Sequence, residues 1–253
     1  MTSLAGKRIW VTRPVTQAQA LIALLEAQEA HAVSLPLLEI APPLDLVALD
    51  DALMRLAQLD LAVFVSPSAL DAVFARLPGA WPSHVPVAVV GPGSVQRARE
   101  YGIADVIAPT ARFDSEGLLA EPRLAQLSGQ RVMLFRGDGG RDILPQGLQD
   151  RGAQLEKIAA YRRLPPAFDA VQLGQQLAAG CDGVIVSSSE AAHYLFTRFG
   201  ADHIQRLQSL LYFTPHPRIA AALAEHGATQ LVATDAGDAG IVTSLCRHFN
   251  RTP

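Results

Sequence analysis

The sequence predicts an α/β protein made of two similar domains, each with a doubly wound parallel sheet covered by helices on both faces. Short runs rich in Val, Ile, Leu and Phe alternate with helical segments along the chain. These runs lack strict apolar–polar alternation, which is typical of strands buried on both faces. Several segments also recur in the second half, and this duplication favours two domains over one within 253 residues.

The repeat is clearest at the predicted strand ends. Residues 8–14 (RIWVTRP) return as residues 131–137 (RVMLFRG), an offset of 123. Residues 62–68 (AVFVSPS) return as residues 183–189 (GVIVSSS), an offset of 121. Two similar domains predict a cleft between them, where small-molecule sites preferentially form. The other repeated pairs are residues 90–94 with 213–217 and residues 116–119 with 239–242, both at an offset of 123.

Strand and helix follow one another in both halves. In residues 17–30, for example, apolar side chains recur at i, i+4 spacing and form one helical face. Strands are predicted at residues 9–12, 32–40, 61–66, 85–90, 105–107, 132–135, 154–161, 183–187, 210–213 and 230–232. Helices are predicted at residues 17–30 and near 69–77, 94–101, 115–127, 141–151, 189–199, 217–226 and 238–249. Four glycines are expected to end helices, at the position that favours glycine: Gly102, Gly152, Gly200 and Gly227.

Two double prolines interrupt the alternation. One follows the extended run 35–40 and the other follows the run 158–163. Because prolines end strands and stiffen linkers, both are candidate crossings between the domains. The duplication alone would divide the chain once, near residue 128, whereas two crossings allow a discontinuous first domain. The residues themselves leave both arrangements open.

Composition argues against several classes of protein. With 49% hydrophobic and 18% charged residues, the chain can bury two cores and is not disordered. A net charge of -3 gives no general attraction to nucleic acid or to an anionic membrane. No signal-peptide segment or membrane-spanning apolar run is evident, so a cytoplasmic protein is expected. Cys181 and Cys246 do not predict a disulfide framework or a zinc site, and the seven histidines show no metal spacing.

Candidate binding residues lie in the loops that follow the predicted strands, since α/β sheets bind ligands beyond the carboxyl ends of their strands. Backbone N–H groups and hydroxyls at helix starts favour anions. Each serine in these loops has an alternative role as a helix N-cap, but both halves repeat serine at the same element end. Thr214 and His216 lie in another such loop, where the alternative role of the histidine is that of a turn residue. The serines are Ser66, Ser68, Ser94, Ser187 and Ser188.

Three arginines at or after the repeated first strand are candidate carboxylate ligands: Arg13, Arg136 and Arg141. A guanidinium can hold a carboxylate through two parallel hydrogen bonds. The alternatives are a solvated surface arginine or an ion pair with a nearby aspartate. The turn 137–141 (GDGGR) resembles a phosphate-binding turn, but it lacks the spacing of a dinucleotide fingerprint or a P-loop. Nucleotide binding there is therefore not favoured.

In their order and spacing, these motifs resemble those of the uroporphyrinogen-III synthase family over nearly the whole chain. Each motif alone is weakly specific, whereas their order over the full length is much more specific. The first half contributes VTRP at 11–14, FVSPSA at 64–69, VGPGS at 90–94 and SEGLL at 115–119. The second half contributes RGDGGRD at 136–142, RGA at 151–153, AYRR at 160–163, VSSSEA at 186–191 and the helix 218–227.

The resemblance implies two flavodoxin-like α/β domains joined by a two-stranded β-ladder. It favours the discontinuous arrangement, in which residues 1–37 join residues 166–253 and residues 38–165 form the other domain. The ladder strands would be 34–41 and 156–164, which accounts for both double prolines. A flexible monomer is expected, since two strands would be the only covalent links between the domains.

The reaction that the resemblance implies converts linear hydroxymethylbilane to uroporphyrinogen III. Water is lost, ring D is inverted through a spirocyclic intermediate, and the macrocycle closes without a cofactor or a metal. Tyr161 matches the tyrosine that the family places by the cleft, and a phenol, protonated near neutral pH, can help the hydroxyl group leave. The alternative role of Tyr161 is packing at the domain junction. Beside it, Arg162 and Arg163 form a short basic patch whose alternative role is a solvated strand end.

The substrate carries eight carboxylates, so hydrogen-bond donors at helix starts suit it. A transient contact with the enzyme that supplies the bilane is also expected. Family members often carry Thr near His216, so the hydroxyl role of that loop falls to Thr214 or to the backbone. Two alternatives stay open: a two-domain binding or sensor protein for a small anionic ligand, and a regulatory relative without activity. The expected substrate-binding residues are Arg13, Ser66, Ser68, Ser94, Arg136, Gly137, Arg141, Ser187, Ser188, Thr214 and His216.

Overall fold

Strands and helices alternate through residues 4–250, the part of the chain that this computed structural model describes; for Gly200 and Asp202 it describes the backbone alone. The chain divides into two units. The first unit holds the described residues up to Glu39 and from Leu164 onward, and the second unit is Ile40–Arg163. The predicted domain ends at residues 1 and 253 lie outside the described residues. Between residues 4 and 250, no helix has both the length and the apolar character needed to span a membrane.

The elements are named in chain order. The strands are β1 (Arg8–Val11), β2 (His31–Ser34), β3 (Glu39–Ala41), β4 (Leu61–Phe64), β5 (Val87–Val89), β6 (Val106–Ile107), β7 (Arg131–Gly137), β8 (Gln154–Leu164), β9 (Gly183–Ile185), β10 (Leu211–Thr214) and β11 (Gln230–Ala233). The helices are α1 (Val15–Glu26), α2 (Leu46–Met54), α3 (Pro67–Phe74), α4 (Pro92–Glu100), α5 (Ser115–Leu119), α6 (Ile143–Asp150), α7 (Ala170–Ala178), α8 (Ser189–Ser209), α9 (Pro217–Glu225) and α10 (Gly237–Phe249).

Within the described residues, the first unit is built on a five-stranded sheet in the order β11-β10-β9-β1-β2, with every adjacent pair parallel. The strands are buried on both faces, as Ile9, Trp10 and Val11 of β1 show by having no exposed surface. Helices α1 and α10 pack on one face, and α7, α8 and α9 pack on the other. Two apolar layers on either side of the sheet therefore form the core of this unit.

The second unit contains, in its described residues, a six-stranded sheet in the order β3-β8-β7-β4-β5-β6. The pairs from β8 to β6 are all parallel. Helices α2, α3 and α4 cover one face, and α5 and α6 cover the other. The predicted α/β class with two doubly wound parallel sheets is confirmed.

The two sheets have the same internal order. The sequence β2-β1-β9-β10-β11 in the first corresponds to β8-β7-β4-β5-β6 in the second. The strands that the repeat relates, such as β1 and β7, therefore occupy equivalent places in different sheets. Each sheet combines strands from both halves of the chain, so the duplication in sequence is not a division into two contiguous units.

Strand register corrects the predicted repeat at β4 and β9. Ile9 of β1 lies opposite Gly183, whereas the equivalent Val132 of β7 lies opposite Leu61. Gly183 therefore corresponds to Leu61, and the offset is 122 rather than 121. A slip of one residue is hard to see in the sequence because apolar residues at neighbouring positions of a fully buried strand are interchangeable.

Helix starts support the same correction. Ser66 and Ser188 are the N-caps of α3 and α8, again 122 residues apart. For the next strand and helix, Pro92 and Pro217 are each the first helical residue, which makes the offset 125 instead of the predicted 123. The repeat is thus real in space, but its spacing changes from one loop to the next.

Two helices were not predicted, although their caps could be read from the sequence. Helix α2 begins after Asp45, whose carboxylate accepts from the backbone N–H of Ala48 at 2.9 Å. Helix α7 begins after Asp169, which forms a reciprocal capping box with Gln172. Asp is a favoured N-cap residue, and Asp followed three residues later by Gln, as in α7, is a recognised helix-start signal.

The predicted strand 32–40 is wrong as a single element, because β2 and β3 belong to different sheets. Pro36 lies between them and has no N–H to donate to a ladder. The flanking N–H groups of Leu35 and Leu37 bond to the carbonyls of Val11 and Thr12, so this segment continues along the end of β1. β3 does lie beside β8, but it is only three residues long and β8 begins at Gln154, so the predicted ladder limits 34–41 and 156–164 stay a prediction.

The predicted helix end at Gly200 is also wrong, since α8 continues to Ser209. Buried Phe199 and Leu207 extend its apolar face past the glycine. A glycine within a helix costs about 1 kcal/mol, which this burial offsets. By contrast, Gly102, Gly152 and Gly227 follow their helices with positive φ, as predicted.

Gly117 and Gly240 show how closely the helices that follow the last strand of each sheet approach the preceding loop. A Cβ on Gly117 would overlap the carbonyl of Arg112, and one on Gly240 would lie 2.9 Å from the Cβ of Asp235. Both contacts are made with a residue five positions earlier. Glycine is therefore required by space at these two equivalent positions.

We expect Gly117→Ala to lower the free energy of unfolding by about 1–3 kcal/mol, because the backbone must move to admit the methyl group. Chemical denaturation followed by circular dichroism measures the effect. Gly79→Ala is the matched control, since its Cβ would meet nothing within 4 Å. Equal midpoints for the two variants would contradict the packing argument.

Candidate functional site

Chain connections diverge at one pair of neighbouring strands in each sheet. In the second unit, β4 leads through α3 to β5, while β7 leads through α6 to β8 on the opposite side. In the first unit, β1 leads through α1 to β2, and β9 leads through α8 to β10. Ligands of open α/β sheets bind beyond the carboxyl ends of the strands at such a switch point. The residues that follow these four strands are therefore the first candidates.

In the second unit, Ser66 follows β4 and begins α3. Its hydroxyl accepts from the backbone N–H of Ala69 at 3.3 Å, so the N-cap role is real. The same hydroxyl lies 2.9 Å from the phenol oxygen of Tyr161. Two residues expected at the site from the sequence are thus joined by a hydrogen bond.

Tyr161 lies on β8 and is almost completely enclosed, with 1% of its surface exposed. Gly137, at the end of β7, makes room for it: a Cβ there would lie 3.0 Å from the Cζ of the tyrosine. The guanidinium of Arg163 donates to the phenol oxygen at 2.8 Å and lies 5.2 Å from the ring centroid. The phenol therefore contacts Ser66 and Arg163, with very little of the ring open to solvent.

Arg136 and Arg141 differ in how far they are engaged. Arg136 donates through Nε and Nη2 to the carbonyl of Gly139, at 3.0 and 2.5 Å, and pairs with Asp142 at 3.4 Å. It thus closes the turn in which it lies. Arg141 is exposed and only loosely associated with Glu116, at 3.8 Å. Of these two, Arg141 is the more available to a ligand.

Ser68 and Ser94 lie in the first turns of α3 and α4, and both are buried. Neither is the N-cap of its helix, because Ser66 and Gly91 hold those positions. Burial leaves little surface of either serine for a ligand. Gly91 offers no side-chain cap, so the first N–H groups of α4 lack that partner.

In the first unit, Arg13 joins the loops after β1 and β9. Its Nε donates to the hydroxyl of Ser187 at 2.9 Å, and its Nη1 pairs with Asp238 at 2.5 Å. The two charged side chains are 16% and 17% exposed, so this pair is largely shielded from water. The ion-pair alternative therefore holds for Arg13, and a substrate carboxylate would have to share the guanidinium with Asp238.

The other first-unit candidates take mainly local roles. Ser188 caps α8 by accepting from the N–H of Ala191 at 3.1 Å. Thr214 ends β10 and is buried. His216 is the N-cap of α9, and its Nδ1 accepts from the N–H of Arg218 at 3.1 Å. The turn role that the sequence offers for His216 is thus the one its described geometry shows.

Three further residues complete these networks. The sequence marks Arg163 only as part of a basic patch, although it is two positions from Tyr161 and strand periodicity places both on one face. Thr12 is buried and donates to the carbonyl of Ile185 at 2.7 Å, which ties β1 to β9. Asp238 carries no motif that would have marked it as the partner of Arg13.

Few of the described side chains in residues 4–250 are suited to binding a metal ion or to acting as a reactive thiol. Among the side chains that the structure describes in that range, no three His, Cys, Asp or Glu are arranged to hold a metal ion. Cys181 and Cys246 are both free thiols. Burial raises the pKa of Cys181 to about 12, so its thiol is not ionised near neutral pH.

Together, the two doubly wound sheets with hydroxyl and guanidinium groups at their carboxyl edges define an α/β protein with two units of like topology. The particular family follows from comparison. The model of the family described as uroporphyrinogen-III synthase HemD matches residues 19–243, and the chain belongs to that family. Membership supports an enzyme of tetrapyrrole synthesis and favours the synthase over a non-catalytic binding protein.

Curated relatives agree with this assignment. Uroporphyrinogen-III synthase of Synechococcus elongatus is 36% identical over 171 residues, which cover 65% of this chain and 63% of the relative. That of Salmonella typhimurium is 29% identical over 193 residues, which cover 75% of this chain and 78% of the relative. The chain thus spans less than two thirds of the first relative and about three quarters of the second.

Solved structures show the same fold. A mutant uroporphyrinogen III synthase from Thermus thermophilus superposes with a TM-score of 0.61 at 17% identity, covering 98% of this chain and 100% of that one. The synthetase from Helicobacter pylori gives a TM-score of 0.61 at 13% identity, covering 96% and 99%. At such identities the likeness concerns the fold alone.

We expect Arg13→Lys to lower the free energy of unfolding by about 1–3 kcal/mol, because one ammonium cannot reproduce the guanidinium's contacts with Ser187 and Asp238. Denaturant titration measures it. Arg247→Lys is the control, since Arg247 and Asp235 are 3.8 Å apart and mostly exposed; it should change stability by less than about 0.5 kcal/mol. Equal effects would mean that the Arg13 network adds nothing to the fold.

Proposed function

We propose that the protein converts linear hydroxymethylbilane to uroporphyrinogen III, with loss of water and inversion of ring D. The observation that carries this proposal is the family match over residues 19–243, together with donors at the carboxyl edge of each sheet. The reaction class is a cyclising carbon–oxygen lyase that needs no cofactor. We also propose that the two units are the domains expected at residues 1–37 with 166–253 and at residues 38–165. The protein is proposed to be a cytoplasmic monomer that contacts the bilane-supplying enzyme transiently.

Binding of the bilane is proposed to rest on local donors, because the net charge of -3 gives no general attraction for a polycarboxylate. Helices α1, α4, α6 and α10 begin without a side-chain cap hydrogen bond. Their first N–H groups suit carboxylates, and the helix dipole adds to the attraction. The proposed ligands are Arg13, Ser66, Ser68, Ser94, Arg136, Gly137, Arg141, Ser187, Ser188, Thr214 and His216.

Among these ligands, exposure suggests a ranking. Arg141 is exposed and weakly paired, which favours direct contact with a carboxylate. Arg13 and Arg136 are already bonded within their own units, so they are proposed to order the loops that carry the donors. Burial similarly suggests that Ser68, Ser94 and Thr214 shape the site more than they touch the substrate.

Tyr161 is the proposed source of the proton that lets the hydroxyl group leave as water. A positioned proton donor contributes about 100- to 10,000-fold to rate. Its hydrogen bond to Ser66, at the start of a helix that follows a switch-point strand, supports this role.

The decisive assay mixes purified protein with freshly generated hydroxymethylbilane and separates the oxidised products by isomer. We expect predominantly type III uroporphyrin. Only type I product, formed at the spontaneous rate, would refute the synthase and leave a binding or regulatory protein.

We expect Tyr161→Phe to lower kcat by roughly 100-fold with KM within about twofold, because the proton donor is lost while the ring still fills its space. Steady-state kinetics and thermal unfolding are measured together. Tyr101→Phe removes the same group in the same unit, where the phenol bonds Asp71, and should retain kcat. An unchanged kcat for Tyr161→Phe would remove Tyr161 as the proton source.

A further inference from the structure

The burial of Tyr161 raises the question of how its proton reaches a substrate. A donor must come within hydrogen-bond reach of the group that it protonates. With 1% of its surface exposed, the phenol does not meet that requirement by itself. Ser66 is only half-buried, and its hydroxyl lies 2.9 Å from the phenol oxygen. The hydroxyl of Ser66 is therefore the group through which the proton of Tyr161 can reach a substrate.

Donor and acceptor capacity fixes the direction of these bonds. A guanidinium has donors only, so the phenol oxygen of Tyr161 accepts from Arg163. The phenol's single hydrogen also needs an acceptor because buried hydroxyls rarely stay unpaired. Among the described residues, the hydroxyl of Ser66 is the acceptor in reach, at 2.9 Å. Tyr161 therefore donates to Ser66.

This direction leaves the hydroxyl hydrogen of Ser66 available for donation. The Ser66 oxygen then accepts from both the N–H of Ala69 and the phenol of Tyr161. Its own hydrogen is then free for an outside acceptor. Ser66 is also the N-cap of α3, where the helix dipole favours the partial negative charge on the serine oxygen while its proton is being transferred.

Arg163 is placed to stabilise the phenolate that remains after Tyr161 gives up its proton. Its guanidinium lies 2.8 Å from the phenol oxygen, and a hydrogen bond from a cation strengthens when that oxygen becomes negative. Its backbone N–H bonds the carboxylate of Asp138 at 3.2 Å, and the N–H of Asp138 bonds the carbonyl of Tyr161 at 3.0 Å. These backbone bonds fix the strand end, so the guanidinium is presented by an ordered segment.

We propose that Arg163, Tyr161 and Ser66 form a proton relay in which Arg163 is a positioning residue and Ser66 delivers the proton. The inference rests on the proposed function. It adds a residue and a direction to the reaction, and it accounts for a proton source that has almost no surface of its own.

The bond between carbon and oxygen in the bilane's hydroxymethyl group breaks, and the pyrrole electrons stabilise the carbon left behind. Ser66 gives its proton to the departing oxygen, which leaves as water, and takes the proton of Tyr161. When a pyrrole carbon attacks and the macrocycle closes, that pyrrole loses one proton. The proton returns through Ser66 to the phenolate that Arg163 holds, so the protein ends unchanged.

A double-mutant cycle tests the relay. Arg163→Gln should lower kcat about 10- to 100-fold with KM within about twofold, as for a lost charge-stabilising donor. In the Tyr161→Phe background the same substitution should change kcat less than twofold, because the group on which it acts is gone. Ser66→Ala should lower kcat in the wild type and should likewise add little to Tyr161→Phe.

Conservative and remote substitutions separate chemistry from structure. Arg163→Lys keeps the charge and should recover part of the loss. It also provides a second cycle if Arg163→Gln does not fold, as judged by thermal unfolding. Arg131→Gln is the control, since Arg131 lies at the opposite end of β7. Its side chain is weakly paired, with Nε 3.8 Å from Oδ2 of Asp60.

The outcomes are distinct. Loss that appears only when the Tyr161 hydroxyl is present supports the relay. An unchanged kcat for Arg163→Gln, or an equal loss with and without that hydroxyl, overturns it. If the wild type forms no type III product, the proposed function itself fails, which the isomer assay reports before any variant is compared.

Discussion

Pairing between strands that are distant in sequence is the constraint on which both units depend. β1 lies beside β9 in one sheet, and β4 lies beside β7 in the other. Each pair joins chain segments separated by a large part of the sequence, and each places two strands whose connections diverge next to each other. The same pairing therefore closes the core and creates the edge at which hydroxyl and guanidinium groups meet. In the first unit, the bond from Thr12 to the carbonyl of Ile185 secures that edge directly.

Packing where β7 and β8 end determines how Tyr161 is buried and hydrogen-bonded in the second unit. The register shift between Arg136 and Gly137 brings Gly137 opposite Tyr161. Since glycine adds no Cβ there, the ring can lie against the strand with its hydroxyl toward Ser66. A larger residue would displace the ring that makes both hydrogen bonds. The enclosure of Tyr161 and its hydrogen bonding thus have one cause. In the proposed relay, this enclosure makes the half-buried Ser66 the group that delivers the proton.

The fold class could be predicted because strand-length apolar runs and glycine-ended helices are local signals. The break between β2 and β3 depends on which sheet each segment joins, and a continuous apolar run conceals it. Likewise, Ser66 and Arg13 could be selected as candidates from their places after strands, whereas Tyr161 could be selected only through the resemblance to the family. Their partners could not all be selected, because Asp238 comes to Arg13 only through the pairing of β1 with β9 and the packing of α10. The two-residue period of a strand predicts that Arg163 and Tyr161 share a face. However, a basic pair at a strand end has the same pattern on any solvated strand, so it does not mark Arg163 as a partner of the phenol.

Residues that the repeat relates occupy equivalent positions in the two sheets, but they form different interactions. Arg13 and Arg136 are equivalent in the sheets, yet Arg13 pairs with an aspartate from a distant helix, while Arg136 bonds the carbonyl of its own turn. The serine that caps α3 bonds a tyrosine, whereas its counterpart Ser188 caps α8 by accepting from the N–H of Ala191. One guanidinium therefore fixes loops that are far apart in sequence, and the other rigidifies a single turn beside the phenol. In the proposed reaction, this difference assigns proton transfer to the second unit, and the first unit contributes an ordered set of donors for the carboxylates.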